Sequence, residues 1–447
     1  YNKILEAFPK NNRALIGLAS LGQVGPPDDV VKQLINLYNS GQLIEVVKKT
    51  EELLKQFSKS FVIWNIQGAA NQSLGKISQA SSAFKTVTIL NPKSPEGFNN
   101  FGVSLKDQGK HKEALEAFNT ALSIKPDYPE TYNNIGLLYQ CQGKLNDAIT
   151  SYNKAISIKN DYADVYNNMG NAFQEKGDMK EAIKAYKNAL SLRPNYAEAY
   201  NNIGDAFQEE GEHEKAIKAF NQALSIKPDF AEAFYNLGIT LKDQGELQKA
   251  AEAFNKALSI KPDHAETYNS LGATLSKLGR FEESESSYKR ALSLKPDYAE
   301  VYNNLGATLK EQGKLEEAEE CITQAITSKP DYAEAHRQLS FIKKFYEYDE
   351  QFLKMEELYN DKNNSLEQLC HLNFGLAKAS EDLGEYDKSF KHYSEGNALR
   401  KKLLKYDISH DINVFKQLKA SYPSIPSVSL DINSFTNNPT PVFIIGM

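Results

Sequence analysis

The chain of 447 residues is short of several things, and each shortage closes off a class of function. It has no run of about 18 apolar residues, so the sequence predicts no membrane span. Its cysteines are only three, Cys141, Cys321 and Cys370, odd in number and far apart. That usage reads as free thiols in a reducing compartment, and a cytoplasmic location is expected. It has no excess of positive charge: a net charge of -6 leaves no basic patch able to hold a phosphate backbone, so nucleic acid is not an expected partner. Catalytic groupings are scarce too. The histidines His111, His213, His264, His336, His371, His392 and His410 show no metal-ligand spacing. Cys370 and His371 are adjacent, so on a helix their side chains point apart. Gly109-Lys110 and Gly143-Lys144 lack the rest of a phosphate loop and read as turns. No catalytic residue, metal ligand or resident cofactor is assigned to these residues.

What the chain has in abundance is repetition. A glycine recurs every 34 residues, at Gly68, Gly102, Gly136, Gly170, Gly204, Gly238, Gly272 and Gly306, and a second follows seven residues after each, from Gly75 to Gly313. Prolines keep the same step at Pro92, Pro126, Pro194, Pro228, Pro262, Pro296 and Pro330, with Asn160 in the vacant slot. A period of this size belongs to arrays of small units that bury their apolar faces only against neighbours.

Within a repeat the pattern predicts two helices, A and B, and two turns. In the last full repeat, Asp297 with Glu300 three residues on is a candidate cap for helix A. Tyr302, Leu305 and Leu309 share one face of that helix. Gly306 lies between them, where glycine costs about 1 kcal/mol relative to alanine, so a close neighbour is expected there, with Ala318 and Ala325 small for the same reason. Gly313 supplies a left-handed turn. Lys295 and Pro296 close the preceding helix B. Bulky partners recur on helix A as Trp64, Phe98, Tyr132, Tyr166, Tyr200, Phe234, Tyr268 and Tyr302, and on helix B as Phe84, Phe118, Tyr152, Tyr186, Phe220, Phe254 and Tyr288. This constellation resembles the tetratricopeptide repeat. The resemblance implies an all-α fold, a right-handed superhelical solenoid of antiparallel helix pairs with the A helices lining a concave groove.

The expected organisation is a divergent half-repeat and repeat over 1–60, eight consensus-like repeats over 61–332, a divergent helical cap over 333–410, a linker over 411–440 and a single strand over 441–447. Tyr1 to Phe8 keeps the spacing of a helix B whose helix A is missing, and Asn11 to Leu21 is a further candidate helix. Phe341 to Leu358 reads as one long helix. The run Pro441-Val442-Phe443-Ile444-Ile445-Gly446-Met447 reads as an orphan β-strand. With the segment Tyr393 to Arg400 before it, that run resembles the start of the sulfotransferase domain that follows tetratricopeptide repeats in some bacterial proteins. The resemblance implies a truncated catalytic domain using 3′-phosphoadenosine-5′-phosphosulfate (PAPS), held on backbone N–H groups.

The repeated feature that packing does not obviously demand is an Asn-Asn pair beside the helix A aromatic: Asn99-Asn100, Asn133-Asn134, Asn167-Asn168, Asn201-Asn202 and Asn303-Asn304. The second member continues as Asn236 and lapses at Ser270. Stepped by repeat, these carboxamides form a ladder able to clamp the backbone of an extended peptide. The array resembles the superhelix of O-linked N-acetylglucosamine transferase at Asn100, Asn134, Asn168, Asn202, Asn236 and Asn304. A rival reading leaves them as solvated copies of one duplicated unit. Flanking residues are the acidic set Glu130, Asp164, Glu198, Glu232, Glu266 and Glu300, read first as caps, the polar set Gln140, Gln174 and Gln208, and Lys106, Lys242 and Lys310, read as solvated. Two functions follow: a groove that recruits an extended peptide or protein to an attached sulfotransferase, or a stand-alone scaffold with no enzymatic activity.

Overall fold

The computed structural model describes residues 26–421. Every described element is a helix, and there is no strand among the described residues. The expected helices of 1–21, the loop-like stretch after Tyr422 and the strand at 441–447 lie outside the described residues. The helices fall into two compact units, divided between Arg280 and Phe281.

In the first unit, helices Asp28–Asn39 and Leu43–Gln56 precede the regular pairs. The A helices are Phe61–Ser73, Pro95–Asp107, Pro129–Cys141, Ala163–Glu175, Ala197–Glu209, Ala231–Asp243 and Ala265–Lys277. The B helices are Ile77–Leu90, His111–Ile124, Leu145–Ile158, Met179–Leu192, His213–Ile226 and Leu247–Ile260. The second unit holds Phe281–Leu294, Ala299–Glu311, Leu315–Ser328, Ala333–Ser340, Glu350–Tyr359, Leu366–Asp382, Tyr386–Leu403 and Ile408–Ser421.

The two glycines of a repeat do different jobs. The turn glycine is left-handed, as at Gly313 (φ 77°), and lets the Lys314 N–H reach back to Leu309 O at 2.9 Å. The helix A glycine makes room for a ring. A Cβ built on Gly102 or Gly204 would lie 2.5 Å from the ring of Phe118 or Phe220, the helix B aromatic of the same repeat. The close neighbour is therefore a side chain on the partner helix, not that helix's backbone. These helix B rings are the largest fully buried side chains of the array, joined by the alanines that flank them. In the repeat containing Gly306, Ile322 takes the place of the ring.

Three sequence expectations need correction. Helix A of the last full repeat begins at Ala299 with Tyr298 at its N-cap and no side-chain cap bond, so Asp297 lies outside the helix and Glu300 is not a capping-box partner. A serine does cap where the sequence supplies one: Ser94 Oγ accepts from Gly97 N–H at 3.0 Å. Phe341 to Leu358 is not one helix. Ala333–Ser340 stops, Phe345 turns into the core at 1% exposure, and a new helix starts at Glu350, where Asp349 accepts from Phe352 N–H at 2.9 Å. The stretch is aromatic-rich and the Asp349 cap offers a better start than continuation. Lastly, the described part of the expected 411–440 linker belongs to helix Ile408–Ser421, an element whose Ile408, Ile412 and Phe415 are exposed.

Candidate functional site

The helix A positions place the asparagines in two rows. Of the first members, Asn99, Asn167, Asn201 and Asn303 are buried and Asn133 is half-buried. The second members, Asn100, Asn134, Asn168, Asn202, Asn236 and Asn304, are all half-buried. A 34-residue step brings the second member of one repeat against the first member of the repeat before. Asn100 Nδ2 donates to Asn65 Oδ1 at 3.1 Å, Asn134 to Asn99 at 2.9 Å, Asn168 to Asn133 at 3.0 Å, Asn202 to Asn167 at 3.1 Å and Asn236 to Asn201 at 3.2 Å. The sequence reading found the ladder but not these rungs, and packing has a use for the pair after all: each buried carbonyl is satisfied from the next repeat. In the second unit the rung is missing. Both side-chain polar atoms of Asn303 are buried without a partner, and Gln338, which stands where the next donor would be, turns to Glu334 at 3.5 Å.

The donors keep something back. Among the described residues, the Oδ1 carbonyls of Asn134, Asn168, Asn202 and Asn236 have no hydrogen-bond partner. They are held in place by their own amide N–H groups.

A second row links glutamine to carboxylate. Gln72 Nε2 donates to Asp107 at 3.0 Å, Gln140 to Glu175 at 2.5 Å and Gln174 to Glu209 at 2.6 Å. The buried tyrosines of helix B brace it: Tyr152 OH donates to Gln140 Oε1 at 2.8 Å, and Tyr186 OH to Asn171 Oδ1 at 2.7 Å and Gln174 Oε1 at 3.0 Å. Burial raises both phenols above their usual range, with Glu175 adding to the effect on Tyr152 and Asp205 to that on Tyr186. Sequence reasoning missed Glu175, Glu209 and the two hydroxyls. The available signal was that helix B carries Tyr, not Phe, where Gln140 and Gln174 stand on helix A.

Two of the acidic set pair with the residue that ends helix B of the same repeat instead of capping. Asp164 receives a two-pronged bond from Arg193, both contacts 2.9 Å, and Glu198 meets Lys227 at 3.4 Å. Burial works against the Asp164 carboxylate, but the Arg193 bonds and charge outweigh it and hold the carboxyl below its usual range. Lys106 lies against Asp107 at 3.3 Å, Lys242 is half-buried and Lys310 exposed.

Asp205 is different. It occupies the place Asn171 has one repeat earlier, but its helix B neighbour is Phe220, which has no hydroxyl to give. Among the described residues it accepts no hydrogen bond and forms no ion pair. Burial first, then Glu232 and Glu209, push its carboxyl up to about 7. Towards the other end of the same unit, a cavity of about 250 Å³ has a mixed lining, apolar from Ile35, Ile66, Ala69, Phe84 and Val103 and polar from Tyr38, Asn39, Asn65, Gln72, Ser73 and Asn100. Among the described residues no group of three or more His, Cys, Asp or Glu could hold a metal, and no helix is long and apolar enough to cross a membrane. The cysteines are free: Cys141 exposed, Cys321 half-buried and Cys370 buried.

Stacked pairs of antiparallel helices, a turn glycine and a ring seated on the helix A glycine define a helical-repeat protein whose A helices carry the polar rows. The repeats are tetratricopeptide repeats. The family model for the TPR repeat matches residues 102–143 and 141–177, and the model for the C-terminal domain of cilia and flagella-associated protein 70 matches residues 160–354. No curated protein matches the chain. Among solved structures, the chain is similar to YrrB, described as a TPR protein with an unusual peptide-binding site, at 25% identity over 41% of this chain and 95% of that one, with a TM-score of 0.37. It is similar to MamA at 29% identity over 38% and 93%, TM-score 0.35. It is also similar to pilF of Pseudomonas aeruginosa at 22% identity over 45% and 92%, TM-score 0.42.

Proposed function

We propose that the A-helix face of the first unit binds an extended peptide or an extended segment of a partner protein, and that the protein works as an interaction scaffold. The observation that carries this is the state of Asn134, Asn168, Asn202 and Asn236. Each gives one amide N–H to the rung behind it and keeps an unpartnered carbonyl. A row of fixed carbonyls is matched to the N–H groups of an extended chain, which it grips without reading side chains.

The test is selection of random peptides displayed against the whole chain. Binders should emerge, and N-methylation of alternate backbone amides should weaken them at least tenfold. Replacing Asn134, Asn168 and Asn202 together by alanine should do the same while helix content, read by circular dichroism, is kept. Binders indifferent to both changes would return the ladder to a purely internal role.

A finer reading attaches this face to chemistry. The likeness of Pro441 to Met447 to the opening strand of a sulfotransferase supports a recruiting role, delivering an acceptor to a PAPS-dependent domain. Sequencing the gene past the Met447 codon tests it first. A following Pro-Arg-Ser-Gly-Thr type loop and PAPS binding by the extended protein would support it, and a stop codon there would end it in favour of the stand-alone scaffold.

A further inference from the structure

The asparagine ladder breaks inside the first unit, and a second cavity opens at the break. Tyr235 stands where Asn99, Asn133, Asn167 and Asn201 supply an acceptor, and Ser270 stands where its donor is due. The same repeat departs from the others after helix B. In six repeats the basic residue that follows helix B lies 4.3–5.2 Å over the aromatic ring three residues on, as Lys227 does over Phe230. Lys261 has His264 at that place. The cause of the imidazole's position is local. Thr131 bonds Asn99 at 3.0 Å, but the equivalent Thr267 finds Tyr235 there and bonds His264 Nδ1 instead, at 2.7 Å. The imidazole also meets Tyr235 edge-on at 5.6 Å, and its Nε2 faces Glu266 at 3.6 Å. What remains is a cavity of about 300 Å³ walled by Ala231, Tyr235, Ala257 and His264, with Lys261 from one side and Glu232 and Asn236, one turn apart, from helix A. Glu232 and Lys261 hold the places at which Asp164 meets Arg193 and Glu198 meets Lys227. Here the two do not meet. Both are exposed at the rim, and among the described residues neither side chain has a hydrogen bond or an ion pair.

We propose that this cavity binds a free α-amino acid as its zwitterion. The ligand's ammonium, a three-way donor, goes to the Glu232 carboxylate and to Asn236 Oδ1, which has no partner within the fold. Its carboxylate goes to Lys261 Nζ, taking the place that a ring holds in the other repeats. A ligand of one sign would satisfy one of these groups and repel the other, whereas a zwitterion answers both and brings in no net charge. The cavity stands at the small end of ligand pockets, so it takes one amino acid and not a chain segment. Ala231, Ala257 and the Tyr235 ring leave an apolar wall for an aliphatic side chain. The inference does not rest on the peptide-binding reading, with which it shares only Asn236.

The experiment is isothermal titration calorimetry of the whole chain with L-leucine, for which a dissociation constant on the order of 1 mM or tighter is expected. N-acetyl-leucine, which lacks the ammonium, and leucinamide, which lacks the carboxylate, should each bind at least tenfold more weakly. Lys261→Met and Glu232→Gln should each cost at least tenfold, while Lys227→Met, the same change one repeat earlier, should leave leucine binding unaltered. His264→Tyr restores the ring that the other repeats place under the basic residue, and should abolish binding without lowering the melting temperature. Leucine binding that survives His264→Tyr lies elsewhere and overturns the assignment. Equal affinity for N-acetyl-leucine would make the cavity an anion site, equal affinity for leucinamide a cation site, and either result overturns the zwitterion. If leucine does not bind at tens of millimolar, the site falls, and the selection of random peptides still decides the peptide reading by itself.

Discussion

The buried asparagines of the two units have the same sequence context and opposite fates. Asn201, at 1% exposure, has its carbonyl satisfied by Asn236 from the next repeat, whereas Asn303, fully buried, has neither its carbonyl nor its amide engaged. The local motif is Tyr-Asn-Asn in both. What differs lies one repeat downstream, where an asparagine stands at 236 and a glutamine at 338 that bonds within its own helix to Glu334. The ladder is thus a property of adjacent copies and not of a copy. Where repetition lapses, the unit keeps the buried amide and loses what satisfied it, which costs on the order of 1–3 kcal/mol.

The sharpest way to separate the units is through the helix A glycine. Gly170→Ala drives a Cβ into the ring of Tyr186, which is fully buried and fixed at its far end by Asn171 and Gln174. The ring cannot move away, and an overpacking cost of about 2–3 kcal/mol is expected. The second unit offers a softer contact at Gly375, two residues before the position equivalent to Gly170, where the nearest atom to a built Cβ is the sulfur of the unbranched, adaptable Met355 side chain at 2.9 Å. Gly375→Ala should cost under about 1 kcal/mol, part of it returned as helix propensity. Hydrogen exchange resolved by repeat distinguishes the two, because stability in such an array is local. Equal losses at both sites would mean that Tyr186 yields as readily as a methionine.

Next in size is the ladder itself. Asn201→Ala leaves the Asn236 amide without its acceptor and should cost about 1–2 kcal/mol in the repeats around 197–243. Asn303→Leu removes two unsatisfied polar atoms at similar volume and should be neutral or stabilising by up to about 1 kcal/mol. A destabilised Asn303→Leu would show that the amide has a partner in the native protein, and would undo the contrast between the units.

Much of this was legible in the sequence, and what was not has a common cause. The period, both glycines, the helix B rings and the asparagine rows follow from residue type and spacing, because sterics and periodicity are local. What could not be read was which groups face each other across repeats. Asn134 and Asn99 are 35 residues apart, and nothing in either says that one row donates to the other. The supposed capping role of Glu300 failed because Asp297 has the composition of a cap but lies two residues before the helix at Ala299. The supposed helix from Phe341 failed because Asp349 offered a competing start and burial of Phe345 bent the chain away from continuation. For Asp205 the only signal was indirect: Phe220 stands at the helix B position where the repeat before has Tyr186.

Asp205 tests the comparison from inside the regular unit, since there a charged group lacks its partner as Asn303 does elsewhere. The folded chain holds this carboxyl's proton up to about 7, well above the ordinary 3.8. Folded protein therefore binds the proton more tightly than unfolded, and stability falls as pH rises from about 4 towards 7. Asp205→Asn should remove that slope. The variant should gain about 1 kcal/mol at pH 8, discounted for the residue's partial exposure, and little at pH 4. Parallel unfolding curves for wild type and variant across this range would mean that Asp205 titrates normally.

The smallest effect is expected where the sequence looks most electrostatic. Arg193 meets Asp164 through two contacts of 2.9 Å, yet both side chains are more than two-fifths exposed, at 42% and 45%. Solvent screens such a pair, so Arg193→Ala should cost only about 0.5 kcal/mol from the pair, vanishing in molar salt. A salt-independent remainder of similar size is expected from the guanidinium lying 4.5 Å over the Tyr196 ring. The neighbouring repeats already hold the control. Lys159 and Lys227 occupy the same place, stack on Tyr162 and Phe230 at 4.6 Å, and Lys227 reaches its carboxylate at only 3.4 Å. Arg193→Lys should therefore keep the stacking and lose the two-pronged bond, and denaturation at low and high salt should place it between wild type and alanine. If the lysine variant falls as far as alanine, the fork geometry and not the charge is what the Asp164 carboxylate uses.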